Sequence, residues 1–198
     1  VVLEALDGVG KSTTAKALTD KLISMGKKVV LAREPGFTDV GEKIRTELLL
    51  SHIPLTQLSQ FCLFQVARLE MLEKLYVENK DFDYIVLDRF WPSTLAYQVS
   101  GGGVPMPLFL AMQTEVDKLV ARIGAEIDIG LMVPEEVRQQ RLAMAGKGGD
   151  RYESKPKDFV ERVCDAYKKM MANKVLRPVN ADAPMEVVVR RIIDILEH

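Results

Sequence analysis

The feature that most restricts this chain is the run Asp7-Gly8-Val9-Gly10-Lys11-Ser12-Thr13, which follows strand-forming residues and opens an amphipathic segment. Glycine at 8 and 10 permits backbone conformations and close approaches that a Cβ would block. Successive N–H groups can then turn inward around an anion, helped by the positive end of the following helix. In such a loop Gly8, Val9, Gly10 and Thr13 contribute backbone, Lys11 reaches the β- and γ-phosphates of a nucleotide, and the Ser12 hydroxyl holds Mg²⁺. Gly-Lys-Ser alone is also compatible with an ordinary glycine turn. The strand before it and the helix after it are what make it a phosphate-binding loop. The strict pattern asks for glycine at its first position, where this chain has Ala5.

The rest of the chain alternates short β-branched runs with longer amphipathic segments. Strands are expected at 1–6, 28–32, 84–87 and 127–133, with the weakest signal for a fifth at 175–179. Helices are expected over 13–25, 40–50, 55–79, 108–123, 135–145, 157–172 and 185–197. In the first of these Ala15, Leu18 and Leu22 share a face and Gly26 closes the helix. The alternation predicts an α/β fold with a mostly parallel central sheet flanked by helices, and the phosphate-binding loop after its first strand makes the expected fold that of a P-loop NTPase. Ligands bind beyond the carboxyl ends of such strands, and the charged and glycine-rich segments fall there. No repeat, linker or composition break divides the chain, so residues 1–198 read as one domain.

Composition narrows the function classes. Hydrophobic residues make up 47%, enough for a sizeable core, while 27 basic side chains nearly cancel 28 acidic ones. A net charge of −1 argues against a nucleic-acid coat or a membrane-surface binder. No apolar run reaches the roughly 18 residues that a membrane helix needs. Cys62 and Cys164 lack metal or redox spacing and read as two buried thiols in a reducing, cytoplasmic compartment. With His52 and His198 as the only histidines, a histidine-based metal or triad site has no material.

Four further stretches carry chemistry. Arg33-Glu34-Pro35-Gly36-Phe37-Thr38, followed by Arg45, lies at a strand's carboxyl end. An Arg-Glu pair is ordinarily a solvated surface pair, but this position suits an acceptor phosphate. Phe64 and Arg68 sit four residues apart on one helix, so ring and guanidinium share a face. Taken alone they would be a core ring with a snorkelling arginine. Asp88-Arg89-Phe90 ends the third strand, before Ser93-Thr94-Leu95-Ala96-Tyr97-Gln98. Asp88 can hold Mg²⁺ or its water, and Arg89 can grip a phosphate. The glycines and cations of 146–155, including Lys147 and Arg151, suggest a mobile lid, against the plainer reading of a surface loop.

Together these stretches resemble the thymidylate kinase family. The matching blocks are LDGVGKST (6–13), REPGFT and EKIR (33–45), FQVAR (64–68), DRFWPSTLAYQ (88–98), VPEEVRQQR (133–141), DRYE, FVERV and Tyr167 (150–167), and NADAPMEVV (180–188). They occur in the family's order and span essentially the whole chain. The resemblance implies ATP with Mg²⁺ as donor, dTMP as acceptor, and a homodimer packed through long helices. Asp7 would lie near the acceptor's 3′-hydroxyl. Phe64 would stack on thymine, Arg68 would donate to its O4, and Thr94 would face its N3 edge. Tyr97 would sit under C2′; Arg45 and Arg89 would hold the acceptor phosphate; Arg33, Phe37 and Gln98 would complete that site. Arg141, Lys147 and Arg151 would embrace the ATP phosphates, and Asn180 would border adenine. Phe37 replaces a family glycine and would narrow the acceptor site. Gly8 stands where some members place a loop arginine, and the arginine-rich lid of other members is only partly present. A broader deoxynucleoside-monophosphate kinase and a non-enzymatic nucleotide-binding regulator are the alternative readings.

Overall fold

A computed structural model of the chain describes residues 1–51, 53–78, 81–144 and 155–197. Among the described residues five parallel strands form one sheet: β1 (Val2–Glu4), β2 (Val29–Arg33), β3 (Tyr84–Asp88), β4 (Asp128–Met132) and β5 (Arg177–Asn180), in the order β2-β3-β1-β4-β5. The first strand is thus central, and its carboxyl end delivers the glycine loop to the middle of the sheet's top edge. Strand alternation puts neighbouring residues of β1 on opposite faces. Leu3 joins a core with Leu18 and Leu22 of α1 (Lys11–Ser24) and Val188 and Ile192 of α8 (Met185–Leu196). Val2 joins the other, with Met71 and Leu75 of α3 (Gln57–Glu78) and Val116 of α5 (Met106–Ile123). Both faces are therefore covered, as a parallel sheet requires.

Two expected elements change, and one further helical stretch was not foreseen. The helix foreseen at 40–50 divides into α2 (Asp39–Lys43) and a π-helical segment, Ile44–Leu49. Thr38 caps it, its hydroxyl accepting from the Gly41 N–H at 2.9 Å. The stretch after Asp88-Arg89-Phe90 is also helical, as α4 (Trp91–Thr94) and then a second π-helical segment, Leu95–Gly101. Single π turns of this kind are frequent at functional sites. The last strand begins at Arg177, because Lys174 adopts a left-handed φ of 58° and the N–H groups of Val175 and Leu176 close the preceding helix on the Met170 carbonyl. That helix is α7 (Lys157–Ala172), and α6 (Glu135–Met144) follows β4. The cysteine expectation needs correction: Cys62 is exposed on the outer side of α3, and Cys164 is partly exposed. Among the described residues no helix is long and apolar enough to cross a membrane.

Candidate active site

The loop between β1 and α1 has the conformation its glycines allow, with φ of 84° at Gly8 and 99° at Gly10. Lys11 opens α1, and its ammonium donates to Asp88 at the end of β3. Burial pushes the Lys11 ammonium down to about 8, as does Arg89, while Asp88 works the other way. Burial raises the Asp88 carboxyl, but Lys11, Ser12 and Arg89 outweigh it and hold it below the usual range. Ser12, the next residue of the loop, is thus placed toward the same carboxylate. A hydroxyl and one carboxylate beside a phosphate loop fit Mg²⁺, a hard ion that commonly takes one or two protein carboxylates and finds its other ligands in phosphates and water.

Arg89 holds the next position with a left-handed φ of 72°, which aims it away from the partner of Asp88. One nitrogen meets the Asp7 carboxylate at 2.5 Å; the other donates to the Ala5 carbonyl at 3.2 Å and to the Ser93 hydroxyl at 3.0 Å. Burial alone would lower its pKa; Tyr97, Asp7, Tyr167 and Glu4 outweigh it and raise the guanidinium well above its ordinary value. Behind the pair lies Glu4, fully buried. It accepts from the Phe90 N–H (2.8 Å), the Ser93 N–H (3.2 Å), the Ser93 hydroxyl (2.7 Å) and the Tyr167 hydroxyl (2.8 Å). Sequence reasoning missed Glu4, and it placed Ser93 and Tyr167 in matching stretches without giving either a role. A charged residue inside the apolar run 1–6 was the available signal, since a buried charge is tolerated only when fully paired.

A cavity opens beside Asp7 and Arg89. Arg45 and Pro35 line it near those two residues, and Arg45 donates to the Pro35 carbonyl at 3.2 Å. Burial, then the neighbouring Arg33, lowers the Arg45 pKa. Phe64, Arg68, Thr94, Tyr97 and Gln98 also line it, together with Glu34, Leu49, Leu50, Phe90 and Ser93. The two π-helical segments supply Arg45, Leu49, Tyr97 and Gln98 to this wall.

Two expected members of this cavity do not line it. Arg33 is half exposed and pairs with Glu42 at 3.0 Å. Phe37 takes a left-handed φ of 71° and packs against the core cluster of Met71 and Leu75, with the Lys74 ammonium 5.2 Å from its ring centroid. The narrowing expected from Phe37 therefore does not arise. Strand alternation explains the exchange: if Arg33 faces outward, Glu34 faces inward. Glu34 meets Arg68 at 2.7 Å with both side chains buried. Arg68 also donates to the Thr94 hydroxyl at 2.8 Å and to Gln65 at 3.3 Å, while its Nε and both oxygens of Glu34 have no well-aligned hydrogen bond among the described residues, so the Glu34–Arg68 contact is an ion pair.

Burial pushes the Glu34 carboxyl up to about 7 from its ordinary 4.5, with Arg68 offsetting part of the rise. A carboxyl that binds its proton more tightly when folded stabilises the fold below about 4.5 and loses that contribution as pH rises through about 7. Glu34→Gln is therefore expected to flatten the fall in thermal stability between pH 5 and pH 8. Parallel melts of the two proteins with the same pH dependence would contradict this.

On the opposite side, α6 lies against the phosphate loop. Arg141 donates to the Val9 carbonyl at 2.7 Å and to the Ala181 carbonyl at 3.4 Å, tying the loop to the segment after β5. Asn180 turns that segment, accepting from the Asp182 N–H at 2.8 Å. Lys147 and Arg151 lie outside the described residues.

A loop that wraps one phosphate chain, next to a cavity with arginines of its own, accommodates two phosphorylated ligands, and on this sheet order that defines a P-loop phosphotransferase. The family model described as thymidylate kinase matches residues 3–192. A thymidylate kinase of Chlorobaculum parvum is 33% identical, with 100% of this chain and 94% of that protein covered. One of Gluconobacter oxydans is 36% identical over 92% of this chain and 86% of its own length. The crystal structure of thymidylate kinase from Ehrlichia chaffeensis shares the fold, with a TM-score of 0.73 at 23% identity over 98% of this chain and 96% of that one. The chain belongs to the thymidylate kinase family.

Proposed function

We propose that this chain transfers the γ-phosphoryl group of ATP directly onto the phosphate of dTMP, in line, giving dTDP and ADP. The observation that carries the reading is that Asp7 joins the two sites. Its backbone belongs to the phosphate loop, and its carboxylate holds Arg89 in the cavity. Lys11 would leave Asp88 for the β- and γ-phosphates, and Ser12 and Asp88 would hold Mg²⁺. Bound there, Mg²⁺ neutralises phosphate charge during transfer. Arg45 and Arg89 would grip the acceptor phosphate. Phe64 would stack on the base, while Arg68, Thr94 and Gln98 read its polar edge. Tyr97 would lie under the deoxyribose and crowd a 2′-hydroxyl. The acceptor phosphate is already an anionic nucleophile, so positioning and charge neutralisation do most of the work.

Release of ADP measured against dTMP, dUMP, dCMP, dGMP and the ribose form of TMP tests this reading. dTMP should be the best acceptor, and a protein equally active on all five would be a broad-specificity kinase instead. We further infer a homodimer. On α3, Leu58, Cys62 and Val66 form an exposed apolar stripe at spacings of four, which a second copy could cover. Sedimentation at micromolar concentration should show twice the chain mass; a monomer there would rule it out. Two free thiols suit a cytoplasmic enzyme.

A further inference from the structure

The phosphate loop carries one cation of its own, Lys11, and offers no side chain at position 8. The space beside position 8 belongs to α6: a Cβ on Gly8 would stand 2.6 Å from Leu142 Cγ and 3.0 Å from the Arg138 carbonyl. Two arginines on this helix, one turn apart, serve different places. Arg141 is spent on the Val9 and Ala181 carbonyls, on the side of the loop away from the acceptor cavity. Arg138 reaches the other side, where its Nη1 donates to the Asp7 carbonyl at 3.3 Å.

The rest of that guanidinium is held by one carboxylate. Its Nε meets Glu135 Oε2 at 2.8 Å and its Nη2 meets Oε1 at 2.7 Å, a bidentate grip that fixes the plane of the fork. The hydrogen bond to Glu135 is the largest influence on Arg138 and raises its pKa, with Tyr97 a smaller contributor in the same direction. Asp7 and Tyr97 both line the acceptor cavity. Arg138 therefore stands behind Asp7, next to the cavity without lining it, with 13% of its side chain exposed. Of the five N–H donors of a guanidinium, three are committed to these contacts among the described residues. The contact to the Asp7 carbonyl is the longest of the three. Nη1 can exchange it for a phosphoryl oxygen without loosening the hold of Glu135.

We propose that Arg138 is a catalytic residue that donates to the transferring γ-phosphoryl group and supplies the second cation that the loop lacks at position 8. The proposal rests on the kinase reading above. During transfer a bond forms between an oxygen of the acceptor phosphate and the γ-phosphorus, and the bond from the γ-phosphorus to the β,γ-bridging oxygen breaks, leaving ADP. Arg138 stays protonated throughout and balances charge on the equatorial oxygens. Glu135 acts through it, as a positioning residue.

The test compares wild type, Arg138→Ala, Arg138→Met and Glu135→Gln in steady-state turnover of dTMP, with melting temperatures measured alongside. Arg138→Ala should lower kcat on the order of 10³-fold, the lower end of what such arginines contribute. KM for ATP and for dTMP should move little. Guanidinium ion added to that variant should recover part of the lost kcat, which no loss of packing would allow. Arg138→Met keeps the aliphatic stem against the helix and should show the same kcat defect, so it carries the test if the alanine variant does not fold. Glu135→Gln should show a smaller kcat loss. Near-normal kcat in a folded Arg138→Ala or Arg138→Met protein overturns the proposal. So does a loss that tracks melting temperature and resists guanidinium. A wild-type protein inactive on every monophosphate overturns the kinase reading, and the role of Arg138 with it.

Discussion

Alanine at Lys11 is expected to lower turnover on the order of 10³-fold or more while leaving the chain folded. The reason lies in where the ammonium is needed. In this structure the ammonium rests on Asp88, a contact that nucleotide phosphates can replace. Charge on the transferring group is greatest in the transition state, so the loss should fall mainly on kcat. Removing Lys11 also leaves the Asp88 carboxylate without its nearest cation. Mg²⁺ affinity is therefore expected to change little or to rise, and a titration of the variant with Mg²⁺ at fixed ATP would show it. Near-normal kinase activity in a well-folded Lys11→Ala protein would refute the phosphate-loop assignment.

The second large effect concerns Arg68 and the base. Thymine offers an acceptor at O4, where cytosine offers an amino donor. A guanidinium has donors only, and this one is fixed between Glu34 and Thr94. A buried donor that faces another donor leaves both unpaired, and sites of this kind reject the wrong partner by up to about 10⁴-fold. kcat/KM for dCMP should accordingly fall orders of magnitude below that for dTMP. The methyl group alone separates dUMP from dTMP by only about 1–3 kcal/mol, so dUMP should be poor but usable. Arg68→Ala should remove the discrimination between dTMP and dCMP. It should also destabilise the fold by about 3–5 kcal/mol, since it leaves Glu34 buried without its partner. Equal use of dCMP and dTMP by the wild-type protein would sink the assignment of Arg68 to O4.

The glycine loop and the strand–helix alternation were legible because each is a local pattern: glycines before Gly-Lys-Ser, and apolar spacing that switches between strand and helix periods. Lys11, Arg45, Arg89 and the Phe64–Arg68 pair were legible for the same reason, each lying at a strand end or on one helix face. Glu34, Glu4 and Tyr167 were not, because their partners lie 34, 86 to 89 and 163 residues away in sequence. Only the fold brings such groups together. Phe37 misled for a conformational reason. The sequence shows a bulky ring directly after Pro35-Gly36, but a left-handed φ swings that ring onto the core and leaves the cavity to Glu34. Arg138 was hidden by its neighbour: both arginines belong to one helical block, and only the position of α6 on the loop separates the one that clamps backbone from the one that reaches Asp7.

Asp88 and Arg89 are consecutive residues that serve opposite sides, one engaged by Lys11 of the phosphate loop and the other turned toward Asp7 and the acceptor cavity by its left-handed backbone. Because one peptide unit carries both, any movement of this strand end displaces the partner of the lysine and the arginine of the cavity together. For inhibitor chemistry the consequence is a shared weak point: a compound wedged against the end of β3 would disturb both grips at once.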